Sequence, residues 1–219
     1  MVYELRVEDV TAVCVRTEHA LGEVNRRDGE AVQAIVDWHP DFAFTHMFHI
    51  CLERTGSLPS YQDFRCFAEE DPLGHRMLGG PARAQVSSVL AEGVPPDLAR
   101  AAMRWRIGNA YYSFLREIYT IVQLRMRGVD LRTHPLADAL FRVDCWAGRA
   151  ALSLRVGNKK FREGAQYGRK MPTERLLGEL QPPLKFVTIE LRPATVFGRV
   201  HLPTTEDLDR AAEMLLRMH

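Results

Sequence analysis

The chain has 219 residues, 46% of them hydrophobic, and a net charge of +1. That is length for one large domain or a domain with a smaller appendage, and apolar content enough for a core, which excludes disorder as the default. Near-neutral charge excludes a protein that is basic all over, so a nucleic-acid surface must be local, and no apolar stretch approaches the roughly 20 residues that span a bilayer.

The first half reads as helix. Val10, Val13, Cys14, Ala20, Leu21 and Val24 recur at helical spacing over residues 7–26. A short helix fits residues 30–38, and a third fits 42–54 after Pro40, stopped by Thr55-Gly56-Ser57. Ser60, with Asp63 three residues on, caps a helix that runs to about Glu70. Asp71-Pro72 and Leu78-Gly79-Gly80-Pro81 read as breaks. Further helices fit residues 82–91, 96–105 and 108–128. Beyond Gly128 the pattern changes to short strands at 129–133, 139–145, 150–156, 185–191 and 195–200, with a helical segment interrupted at Pro172 between 161 and 180. Thr204 caps a last amphipathic helix over 206–218. The expected fold class is therefore α+β: a helical region over 1–105, then a small mixed sheet flanked by helices over 106–219.

Residues 140–170 carry the most chemistry. Asp144 closes one apolar run, and the next run ends in Gly157, Lys159 and Lys160. Side chains alternate along a strand, so Ser153, Arg155, Gly157 and Lys159 share a face that Asp144 can lie across from. Glu117 sits in the middle of the preceding helix. Carboxylates suit Mg²⁺, because hard cations take oxygen ligands, and a lysine can steady charge developing on a phosphate. Glu117 and Asp144 are the candidate metal ligands, and Glu117, Asp144 and Lys159 the candidate catalytic set.

The order of helix, three strands, helix and strand, with Asp144 by the second strand, resembles the PD-(D/E)XK (restriction-endonuclease-like) superfamily. The resemblance covers about residues 108–191. It implies a Mg²⁺-dependent domain acting on DNA phosphodiesters, with an aspartate on the second strand and an acid-x-lysine pair on the third. Here the third strand offers Ser153-x-Arg155 or Gly157-x-Lys159, so the motif is degenerate. Glu117 or Glu163 would then supply the missing acid.

Positive charge concentrates at Arg149, Arg155, Lys159, Lys160, Arg162, Arg169, Lys170 and Arg175, with Gln166 and Tyr167 between them as groups able to bond or stack on bases. Arg155, Lys160, Arg162, Gln166, Tyr167, Arg169 and Lys170 are the candidate nucleic-acid contacts, for DNA with RNA as the alternative. The segment CLERTGSLPSYQDFRCFAEE has the outline of a helix-turn-helix, with Tyr61, Gln62 and Arg65 as its exposed readers. His39, His46, His49, Cys51, Cys66 and His75 are ligand types for zinc, but core packing explains their apolar company as well. Tyr111, Tyr112, Phe114 and Tyr119 are expected to pack the core. The four cysteines form no CxxC pair, and the first residues show no signal-peptide pattern, so reduced thiols in a cytoplasmic protein are expected. Three functions compete: a nuclease-like domain, a non-catalytic nucleic-acid- or protein-binding subunit of a larger complex or a homo-oligomer, and an α+β protein with a small-molecule pocket.

Overall fold

A computed structural model describes residues 2–16, 18–156, 173–191, 193–197 and 200–218. The fold is α+β, a helical N-terminal half followed by a small mixed sheet with helices. Two compact units divide it, Met1–Leu115 and Arg116–His219.

In the first unit, α1 (Val7–Arg16) buries Val10, Val13 and Cys14, one apolar stripe at helical spacing. The helix expected over 7–26 stops at Arg16, and Gly22, left-handed at φ 57°, turns the chain further on. The chain re-enters helix at α2 (Arg26–Gly29), where Asn25 accepts the Asp28 amide. The segment α3 (Gln33–Val36) is shorter than expected. In α4 (Phe44–Thr55) the stop is the expected one, with Gly56 at φ 68° and its amide donating to Leu52. The capping box of Ser60 and Asp63 opens α5 (Tyr61–Glu70).

Of the two expected breaks, Asp71-Pro72 is one, since Asp71 is extended (ψ 129°) between α5 and the next helix, whereas residues 78–81 are not. Asp71 caps α6 (Pro72–Gly74), which passes through a π turn (His75–Gly79) straight into α7 (Gly80–Ala91). The glycines here permit close approach. A Cβ on Gly74 would sit 2.2 Å from the Phe67 carbonyl oxygen, and one on Gly79 2.0 Å from that of Ala68. Gly79→Ala is therefore expected to cost about 1–3 kcal/mol in urea unfolding, since backbone must move to admit the methyl group. Likewise α8 (Pro96–Met126) runs unbroken through residues 105–108, and a Cβ on Gly108 would meet Leu21 at 2.8 Å. The core gathers aromatic rings: Phe48 lies 4.3 Å from Phe64, 4.9 Å from Phe114 and 5.8 Å from Tyr111, centroid to centroid.

In the second unit the strands are β1 (Leu131–Arg132), β2 (Cys145–Ala147), β3 (Ala150–Val156) and β4 (Lys185–Leu191), in the order β1-β2-β3-β4. The first two pairings are antiparallel and β3–β4 is parallel. Helix α9 (Pro135–Phe141) lies between β1 and β2, and α10 (Thr173–Leu177) precedes β4 in the chain. A hairpin follows, β5 (Pro193–Phe197) with β6 (Val200–Pro203), and then α11 (Thr205–Leu216), capped by Thr204 as expected. Ile121, Leu124, Leu131, Cys145, Leu152, Ile189, Leu208 and Leu215 form one core.

The strand expected over 139–145 is corrected. Residues up to Phe141 are helical, because His134 accepts the Leu136 amide and Pro135 occupies the first turn. Arg142, left-handed at φ 58°, ends that helix. Asp144 thus leads into β2 instead of closing a strand. The strand expected over 195–200 is also corrected, being the two arms of the β5–β6 hairpin.

Candidate metal centre

Glu117, Ile121 and Leu124 lie four and seven residues apart, one stripe of α8. Ile121 and Leu124 pack into the sheet core, so the same stripe carries the Glu117 carboxyl inward. The residue is half-buried, but its Oε1 is sealed from solvent with no hydrogen-bond partner among the described residues. Burial pushes the carboxyl well above its ordinary 4.5, and the charges of Asp144 and then Asp138 push it further. Asp144 therefore lies within electrostatic reach of Glu117, as does Asp138, which sequence reasoning missed because its helix was read as the approach to a strand.

Asp144 is fixed at several points. Its amide donates to Leu152 (3.1 Å), its Oδ2 accepts the Leu154 amide (2.5 Å), and its carbonyl accepts the Thr133 hydroxyl (2.9 Å). Cys145 pairs with Leu152, so one step back Asp144 stands opposite Ser153 on β3, as the alternation argument required. Arg142, two residues earlier, is held at its carbonyl by Ser153 Oγ (3.4 Å) and Thr173 Oγ1 (3.1 Å). A non-glycine residue in the left-handed region carries a steric cost, so Arg142→Gly is expected to be neutral or to gain up to about 1 kcal/mol in thermal unfolding.

Lys159, Lys160, Arg162, Gln166, Tyr167, Arg169 and Lys170 lie outside the described residues, as do Gly157 and Glu163. Arg155 is described only as backbone, on β3 in register with Glu190 of β4. Sequence reasoning also missed Glu190, whose backbone falls in register with that of Arg155 only once the parallel β3–β4 pairing is known.

Other candidates resolve into packing. Tyr61 is 6% exposed and lies 5.3 Å from the Tyr111 ring, so it is no exposed reader in a helix-turn-helix. Arg65 is exposed and pairs with Glu69. His49 packs edge-on to Phe114, and burial pushes the Cys51 thiol up to about 12 and Cys14 up to about 11, which makes both thiols poor nucleophiles. Among the described residues no group of three or more His, Cys, Asp or Glu gathers as a metal cage. Tyr111, Tyr112 and Phe114 are buried, and Tyr119 packs on the sheet core. Among the described residues no helix is long and apolar enough to cross a membrane.

The donor set fits a hard cation. Mg²⁺ is commonly held by one or two carboxylates, with water and substrate phosphate completing its shell. Glu117 and Asp144 supply two such groups, and the orphaned Glu117 Oε1 is the observation on which the fit rests. Compared with known proteins, the chain matches no family model, no curated protein and no solved structure.

Proposed function

We propose that the second unit is a nuclease-like domain of degenerate PD-(D/E)XK type, acting on DNA phosphodiesters, with Glu117 and Asp144 holding Mg²⁺. The observation that carries this is the buried, unsatisfied Glu117 carboxyl within electrostatic reach of Asp144. The element order supports it: helix, three strands, helix, strand, with α9 added after β1. When bound, the cation would polarise a phosphoryl oxygen and lower the pKa of a coordinated water. Glu117 and Asp144 would orient that ion, and the Leu154 amide would hold Asp144 in place. Lys159 or Lys160 would hold the scissile phosphate, with Arg155, Arg162, Arg169 and Lys170 contacting the backbone and Gln166 and Tyr167 the bases.

A second reading has its own support. β3 carries no acid, and Asp144 already spends Oδ2 on a backbone amide. On that reading the domain binds polynucleotide, or a protein partner, without cutting.

Fluorescence anisotropy on duplex DNA, with an RNA arm, tests the shared part. Affinity is expected to fall steeply from about 50 to 200 mM salt, as phosphate contacts require. No binding at low salt contradicts both polynucleotide readings. Magnesium-dependent nicking of supercoiled DNA supports the first, and binding without nicking supports the second.

A further inference from the structure

We propose that Thr173, assisted by Ser153, is a positioning residue for Asp144, so that cation affinity at the carboxylate pair depends on a hydroxyl that never touches the cation. This rests on the metal-centre reading above. Asp144 belongs to a three-residue link, 142–144, whose polar groups are engaged from three other parts of the chain. Thr133, just after β1, bonds the Asp144 carbonyl, and β3 bonds both its amide and its carboxylate. Upstream, the Arg142 carbonyl accepts two hydroxyls at once, Ser153 from β3 and Thr173 from α10. A carbonyl oxygen offers two lone pairs, so this one is saturated.

The geometry gives these bonds a directional task. Arg142 is left-handed (φ 58°), a conformation that an arginine holds only where its surroundings impose it. The peptide after it sets the direction in which Val143 and Asp144 leave the helix. Val143 is 5% exposed and anchors that path on its apolar side. Thr173 is 31 residues from Arg142 in sequence, and the residue is 9% exposed. Loss of that bond would leave the Arg142 carbonyl to the longer Ser153 bond alone and would loosen the link that delivers Asp144 to β2. Outer groups that orient ligating carboxylates commonly govern affinity by ~10–100-fold.

The test is isothermal titration of the full chain with Mg²⁺, alongside thermal unfolding of each variant. Thr173→Val keeps the shape and removes the hydroxyl, and is expected to weaken Mg²⁺ binding about 10-fold. Thr173→Ser restores the hydroxyl and is expected to recover affinity to within about 2-fold, a rescue that loss of packing alone would not give. Ser153→Ala, with the longer bond of the two, should weaken binding by a smaller factor, and it keeps the test open if Thr173→Val does not fold. Native affinity in both Thr173→Val and Ser153→Ala overturns the positioning role while leaving the metal centre intact. A native chain that binds no Mg²⁺ overturns the metal centre and this inference together.

Discussion

Glu117→Gln is expected to unfold at a higher temperature than the native chain at pH 8 and to lose that advantage at pH 4. The native residue is half-buried, with its Oε1 sealed from solvent and unsatisfied among the described residues and two other acids within electrostatic range. Its folded-state pKa is raised well above 4.5, first by burial and then by Asp144 and Asp138. Below about pH 4.5 the group is protonated in folded and unfolded chains alike and has no linkage effect. Above that, the unfolded chain releases the proton while the folded chain keeps it. Stability then falls by about 1.4 kcal/mol per pH unit until the folded pKa is passed. Glutamine mimics the protonated acid at every pH, so the variant lacks this decline. Saturating Mg²⁺ should narrow the gap, because a bound cation favours the ionised native form. Parallel pH–stability curves for the two chains would show that Glu117 is not buried as described.

Asp144→Asn should leave the fold standing and sharply reduce the proposed nicking. The amide oxygen can still accept the Leu154 amide proton, so β3 keeps its bond, and the expected change in stability is within about 1 kcal/mol. Removing the Asp144 charge also removes one cause of the raised Glu117 pKa, so the pH-dependent decline should end at a lower pH than in the native chain. Magnesium-dependent nicking should fall by at least about 100-fold, above the loss expected for a group that only orients a ligand. Asp144→Ala makes a poorer test, because it strands the Leu154 amide as well. Unchanged nicking in Asp144→Asn would remove Asp144 from the site.

The fold was legible where one local interaction decides. Ser60 with Asp63, Gly56 and Thr204 mark helix ends through single side-chain or backbone requirements, and each does so in the structure. β3 and β4 have the expected bounds because branched apolar runs between turn residues leave few alternatives. Glycine misled, because Gly79 and Gly108 admit close approach of Ala68 and Leu21, neighbours that only the folded chain supplies. Residues 139–141 misled because their apolar run suits a strand, while the deciding features are His134 and Pro135 at the helix start.

The site was legible only in part. Glu117 and Asp144 were named for their residue types, and the α8 stripe with the β2–β3 register brings them within electrostatic reach. Asp138 and Glu190 were missed because each depends on an element or pairing that the sequence does not spell out. Thr173 could not be foreseen at all, since its partner is a backbone carbonyl 31 residues away.

Glu117 and Asp144 are proposed to share one divalent cation. Mn²⁺, which carboxylate sites accept in place of Mg²⁺, can be titrated into the full chain and its free fraction read by electron paramagnetic resonance. One tight site is expected in the native chain, displaced by Mg²⁺ and absent from both Glu117→Gln and Asp144→Asn. No tight site in the native chain, or the same site in either variant, would contradict it.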